Sequence, residues 1–390
     1  MKFAQSTRAV RAGIDSDPVF GAVIPPLFMS ANFSFDGLHG KRRYDYSRSG
    51  NPTRDLLGDA LASLEGGAGG IVTATGLAAV TLVLHALLSP GDRLLIPHDC
   101  YGGSWRLFNA LAAKGGFELE SCDQSDPTAL AAALQRKPSI VWIETPSNPL
   151  LRITDLAAVT QASHSIGARV VADNTFLSPA LQRPLEFGAD VVVHSTTKYI
   201  NGHSDIVGGA AIARQPDLLE QLDWWANALG LTGSPFDSYL TLRGLRTLHA
   251  RLAIQQANCG ALAELLLEHS VVAKVHYPGL ENHPGHDLAS RQQDGFGAML
   301  SFELHGGEPV VRAFLNGLEC FTLAESLGGV ESLIAHPASM THAAMSEQAL
   351  SGAGIGPGLL RLSVGIEQLE DLAADLEAGL GRAQSVHESS

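Results

Sequence analysis

The stretch "DLAAVTQASHSIGARVVADNTFLSPALQRPLEFGADVVVHSTTK", Asp155 to Lys198, changes its hydrophobic period within a few residues. "DLAAVTQASHSIGA" reads as a helix. "RVVADNTF" and "DVVVHSTT" are instead short unbroken apolar runs that end in polar residues, the form of strands covered on both faces. The same alternation continues upstream. "IVTA", "RLLIPHD" and "SIVWIE" read as strands, "GLAAVTLVLHALLSPGD" and "GGSWRLFNALAAKGG" as helices, and "DLLGDALASLEGG" as a helix with a glycine stop. Short apolar runs separated by helices of about a dozen residues predict an α/β fold built on a mainly parallel sheet. Ligands of such sheets sit at the carboxyl ends of the strands.

The texture differs on either side of this block. Residues 1–58 are rich in Gly, Pro, Arg and aromatics, and "VIPPLFMSANFSF" followed by "KRRYDYSRSGNPTRD" reads as an extended arm that packs on another surface, a neighbouring subunit included. Residues 59–250 hold the alternating block. Residues 251–390 open on a long helix, "RLAIQQANCGALAELLLEHS", and continue through "VVAKVHYPGL", a strand "AMLSFELHG", a helix near 308–317, a strand "LLRLSVG" and a closing helix "QLEDLAADLEAGL". This last part reads as a smaller α/β domain, with "AQSVHESS" expected to fray.

Composition narrows the function. The chain has 390 residues, 45% of them hydrophobic, and a formal net charge of −14 with no basic block, so nucleic acid and anionic membrane are poor partners. No apolar run reaches the roughly 18 to 20 residues of a membrane span, and "MKFAQSTRAVRAG" lacks the apolar centre of a signal peptide. Four cysteines stand far apart without a CxxC pair, against a disulfide framework or a zinc site. A soluble, cytoplasmic protein is expected.

Three strand ends carry chemistry. "RVVADN" delivers Asp173, "VVVHSTTK" delivers Ser195, Thr197 and Lys198, and "IVTATGLAAV" delivers Gly76 and Leu77 at a helix start. Lys198 follows Asp173 by 25 residues, about one repeat of the alternating block, so both side chains can emerge at one edge of the sheet. Pyridoxal phosphate needs an amine for its covalent link, a carboxylate to keep its ring nitrogen protonated, and donors for a phosphate dianion at a helix N-terminus. Lys198, Asp173, the Gly76–Leu77 turn and the Ser195 and Thr197 hydroxyls supply that set. Singly, each has a plainer reading. Lys198 serves as a solvated loop lysine, Asp173 as a helix cap, Gly76 as a tight connection, and Tyr101 as a core aromatic. His98, His194 and His336 show no ligand spacing, and no metal site is expected.

"HSTTKYINGHSD", "VVADNTFLSPALQRPLEFGAD", "YDYSRSGNPTR", "HDCYGGSWRLF", "ETPSNPLL", "FTLAESLGG" and "RLSVGIE" together resemble the Cys/Met-metabolism family of pyridoxal-phosphate enzymes, in order and over nearly the whole chain. The resemblance implies the fold type I architecture, with a mainly parallel seven-stranded sheet in the larger domain. It implies that Lys198 holds the cofactor and moves protons, that Asp173 pairs with the ring nitrogen, that Tyr101 stacks on the ring and that Asn148 bonds near the ring hydroxyl. Gly76, Leu77, Ser195 and Thr197 would bind the phosphate, reached also by Tyr46 and Arg48 from a neighbouring subunit of a homotetramer. Ser326 and Arg361 would hold the α-carboxylate of an amino-acid substrate, a match for a guanidinium fork. Asp45, Arg106, Asn227 and Glu325 would face its distal part. The implied reaction is γ-replacement, O-succinyl-L-homoserine and L-cysteine giving L-cystathionine and succinate. The alternative is α,γ-elimination of cystathionine, towards which Ser49 in "YSRSGNPTR" leans.

Overall fold

A computed structural model describes residues 3–343 and 345–389. Seven strands form the larger sheet: β1 Gly69–Thr73, β2 Arg93–Pro97, β3 Glu118–Cys122, β4 Ile140–Glu144, β5 Arg169–Asp173, β6 Val191–Ser195 and β7 Gly209–Ala213. Their spatial order is β1-β7-β6-β5-β4-β2-β3, parallel throughout except for β7, which runs antiparallel to both neighbours. All five residues of β4 and the first four of β6 are buried, as strands covered by helices on both faces must be. Two apolar layers flank the sheet. Trp142, Val171 and Val193 enter one, and Ile143, Ala172 and Val192 the other.

The predicted helices form, the one read from Asp55 beginning at Pro52, inside the stretch read as the arm. Asn51 caps the helix Pro52–Glu65, its side chain accepting from Thr53 N–H, and Gly66 closes that helix in the left-handed conformation. Asp155 caps Leu156–Ser165 by accepting from Ala158 N–H. β3 and β7 are not legible in the sequence. β3, "ELESC", is a half-exposed edge strand with two glutamates, and β7, "GAAIA", has a single β-branched residue.

A second sheet gathers β8 Val272–His276, β9 Met299–Leu304, β10 Thr322–Leu323, β11 Leu333–Ala335 and β12 Leu359–Ser363 in the order β10-β11-β12-β9-β8. The helices Leu248–Leu267 and Leu369–His387 pack with it, burying Leu262, Leu266, Leu376 and Leu380. Two expectations are corrected. The C-terminal "AQSVHESS" does not fray as a whole, because the closing helix runs through His387 and buries Ala383 in register with Leu376 and Leu380. The arm is not extended throughout. Gln5–Val10 is helical, buries Ala9, and is tied to the helix Pro52–Glu65 by Gln5 Nε2 donating to the Leu64 carbonyl at 2.8 Å. The rest of the arm leaves Phe20 and Leu38 about nine-tenths exposed (90% and 89%). Among the described residues no helix is long and apolar enough to cross a membrane.

Candidate active site

The carboxyl ends of β4, β5 and β6 open into a cavity of about 460 Å³. Parallel register sets Glu144 beside Asp173, and Asp173 beside Val193. Asp173 Oδ1 accepts the Thr175 N–H at 3.0 Å, a local turn contact and not a helix cap. Burial raises the Asp173 pKa above the usual carboxylate value, against the hydrogen bonds of Thr175 and the charge of His194. Glu144, 5% exposed, is pushed well above its ordinary value by burial and then by the Asp173 charge. Two carboxylates therefore share the cavity floor, and among the described residues neither makes an ion pair.

Positive charge gathers on the other wall. Arg361 lies on β12 of the second sheet, 4% exposed, on the face opposite the core residues Leu360 and Leu362. Its Nη1 donates to Asn148 Oδ1 at 3.0 Å and its Nη2 to the Ser326 carbonyl at 2.9 Å, while Nε is buried with no partner among the described residues. Burial holds its pKa down to about 10, a guanidinium short of an anion. Lys198 Nζ donates to Ser326 Oγ at 2.7 Å, and burial, then the Arg361 charge, brings its pKa down to about 8. An amine tuned to that range is neutral often enough to act as a base near neutrality. Ser326 itself has φ 86°, in the left-handed region that a serine rarely adopts. Arg361 Nη2 on its carbonyl and Lys198 on its hydroxyl hold it there.

The third wall is the start of the helix Gly76–Leu87, capped by Thr75, whose side chain accepts the Ala78 N–H at 2.9 Å. The Gly76 and Leu77 N–H groups belong to the first turn, which has no intrahelical acceptors and suits an anion. Glycine is required at 76, since a Cβ would stand 2.8 Å from Ser195 Cβ. Ser195 and Thr197 line the same end, Thr197 Oγ1 accepting the Gly208 N–H at 3.0 Å. Tyr101, at the N-terminus of the helix Gly102–Ala113, lines the cavity, with its phenol pKa raised by burial and by Glu325.

Of the residues expected at the site, Gly76, Leu77, Tyr101, Asn148, Asp173, Ser195, Thr197, Lys198, Glu325, Ser326 and Arg361 line this one cavity. Asp45, Tyr46, Arg48, Arg106 and Asn227 do not line it within the chain. Arg48 Nη1 instead donates to Asn227, to its carbonyl at 2.7 Å and its Oδ1 at 2.8 Å. Asp45 is held by Lys41 at 2.9 Å and Ser49 at 2.8 Å, and Arg106 is exposed on its helix. Glu144, Thr175 and His342 went unread. Glu144 had a signal, as the carboxylate closing "SIVWIE" at the same sheet edge as Asp173. His342 had none, lying 194 residues from the Asn148 carbonyl that its Nε2 meets at 3.2 Å.

Burial holds the His342 pKa down to about 4, with Arg361 adding to it, so the fold requires the neutral ring. Stability from this group is present above the unfolded value of about 6.5 and is lost as pH falls towards 4. The expected loss is about 2 kcal/mol at pH 5 and about 3 kcal/mol below pH 4. Urea midpoints at pH 7 and pH 5 check this for the protein and for His342→Gln. The gap between them should narrow at the lower pH, and a constant gap would remove His342 from the account.

A cationic ring nitrogen fits over the unpaired Asp173–Glu144 floor, a phosphate fits the Gly76 turn, an aldehyde carbon fits within reach of Lys198, and a carboxylate fits the half-satisfied Arg361. Fold and cavity together define a pyridoxal-phosphate enzyme. The family model for Cys/Met metabolism pyridoxal-phosphate-dependent enzymes matches residues 6–381, and the chain belongs to that family. The chain is 55% identical over 379 residues to the cystathionine gamma-synthase of Escherichia coli (strain K12), covering 97% of this chain and 98% of that one. The crystal structure of cystathionine gamma synthase from Xanthomonas oryzae pv. oryzae in complex with cystathionine is 67% identical, covers 99% of this chain and 100% of that chain, and superposes with a TM-score of 0.98. The cystathionine gamma-lyase of Lactobacillus plantarum, complexed with L-serine, is 39% identical over 98% of this chain and all of that one, with a TM-score of 0.94.

Proposed function

We propose that the protein catalyses γ-replacement, joining L-cysteine to the four-carbon unit of O-succinyl-L-homoserine to give L-cystathionine and succinate. The observation that carries this reading is the 55% identity to the Escherichia coli synthase over nearly the full length of both chains. When bound, pyridoxal phosphate supplies an electron sink conjugated to the substrate Cα. The Gly76 and Leu77 N–H groups, Ser195 and Thr197 would hold its phosphate, Asp173 its ring nitrogen, and Tyr101 its face.

Lys198 would carry the covalent link. Once displaced by the substrate amine, it would take the Cα proton and return protons on the same side. Its pKa of about 8 suits both directions of transfer. Arg361 would fix the α-carboxylate, filling the donor at Nε, with Ser326 and Asn148 setting the angle of the fork. In the overall balance the Cγ–O bond breaks, succinate leaves with the bonding pair, the cysteine sulfur forms the Cγ–S bond, and the thiol proton passes to solvent. The reading also places the reaction in the cytoplasm.

We infer further that the enzyme works as a homotetramer whose sites are shared. In support, Tyr46, Arg48 and Asn227 lie off the cavity of their own chain, and the arm leaves Val19, Phe20 and Leu38 exposed. α,γ-Elimination of cystathionine is the second reading, favoured by the 39% identity to the Lactobacillus plantarum lyase. The deciding experiment supplies O-succinyl-L-homoserine with and without L-cysteine, and cystathionine separately, and compares kcat/KM. Replacement should exceed cystathionine breakdown by at least tenfold, a difference of about 1.4 kcal/mol. Faster breakdown than synthesis would reverse the assignment.

A further inference from the structure

We propose that Glu144 is a positioning residue, a single buried carboxylate that holds Tyr101 and Asn148 in place together. The inference rests on the pyridoxal-phosphate reading of the cavity and extends it to a residue with no role in that reading. Glu144 Oε2 accepts the Tyr101 N–H at 2.9 Å, and Oε1 accepts the Asn148 N–H at 3.1 Å. Tyr101 begins the helix Gly102–Ala113, while Asn148 belongs to the loop after β4. One side chain thus spans two segments that each send a side chain into the cavity.

The placement is costly. Glu144 is 5% exposed, makes no ion pair among the described residues, and lies in register with a second carboxylate, Asp173. A buried carboxylate without a cation carries a desolvation cost that an apolar or amide side chain avoids. What the carboxyl group provides is two acceptor oxygens, one for each N–H, where an amide would turn its NH2 donor towards one of them.

The effect of those bonds reaches the reacting groups through Asn148. Its backbone is gripped on both sides, the N–H by Glu144 and the carbonyl by His342 Nε2 at 3.2 Å. Its side chain is oriented as well. Arg361 can only donate, so Oδ1 faces Nη1 at 3.0 Å. Arg361 Nη2 in turn holds the Ser326 carbonyl at 2.9 Å, and Ser326 Oγ receives Lys198 Nζ at 2.7 Å. Through this chain of contacts the angle of the guanidinium fork depends on Glu144. Through Tyr101 the same carboxylate sets the wall facing the ring.

The test uses the holoenzyme of Glu144→Gln and Glu144→Asp. Glutamine keeps the shape, but its NH2 group meets one of the two N–H donors. Aspartate keeps the charge but is one methylene too short to reach both. Both variants are expected to weaken L-cystathionine in a spectral titration of the bound cofactor by roughly tenfold, the loss of one such bond. Both should raise KM more than they lower kcat, and both should diminish the visible circular dichroism of the cofactor, which reports on its asymmetric setting. Wild-type behaviour of Glu144→Asp would overturn the proposal, because charge alone would then suffice. So would a fall in Tm with affinity, KM and dichroism unchanged, which is a purely structural role. If the wild-type protein binds cofactor but performs no γ-replacement, and the variants still lose dichroism and ligand affinity, the functional reading fails while the positioning role stands.

Discussion

Lys198→Ala is expected to lower kcat/KM for γ-replacement by about 10³ to 10⁴, the range lost with a positioned proton-transfer group. Borohydride followed by mass spectrometry should then find no cofactor fixed to residue 198, whereas the wild-type peptide carries it. The reason lies in where the amine sits. Burial and the Arg361 charge lower its pKa to about 8, and its contact in the cavity is a hydroxyl, Ser326 Oγ at 2.7 Å, in place of a carboxylate that would keep it charged. Lys198→Arg should not rescue, because a guanidinium remains protonated and forms no such link. Retention of more than a tenth of the activity in either variant would sink the assignment.

Asp173→Asn is expected to cost a comparable factor, about 10² to 10⁴, with an opposite effect on the cofactor-free fold. Asparagine can still accept the Thr175 N–H but carries no charge for a ring nitrogen to pair with. In the protein without cofactor, Asp173 is raised by burial and in turn raises Glu144, so the two carboxylates oppose each other. Removing one charge should raise the Tm of the cofactor-free protein while activity collapses, the exchange of stability for function found at charged sites. Calorimetry with and without pyridoxal phosphate measures both sides. A lower Tm in the cofactor-free variant, or wild-type turnover, would contradict the role.

These two residues were also the most legible in the sequence. Both close apolar runs in "RVVADN" and "VVVHSTTK", and a run of that kind is local information: unbroken burial means a central parallel strand, and a polar residue at its carboxyl end means the ligand edge. The Gly76 turn is local in the same sense, since a strand, a glycine and a helix start determine an anion-binding geometry without reference to the rest of the chain. The sequence by itself therefore determined the five parallel strands that carry apolar runs, the functional edge they form and the three anchors along it.

Only the tertiary structure joined Glu144, Asn148, Arg361, Ser326 and Lys198 into one connected set, because hydrogen bonds between residues 128 and 213 positions apart leave no periodic trace. It also decided the antiparallel β7, a strand of mostly small residues whose place depends on β1 and β6 on either side. In the same way it kept Asp45, Arg106 and Asn227 off the cavity of their own chain, where the resemblance had them face the substrate; Tyr46 and Arg48, expected to reach a neighbouring subunit's site, lie off it too. Burial and strand ends are properties of a segment, whereas the pairing of charges across a cavity is a property of the packed whole.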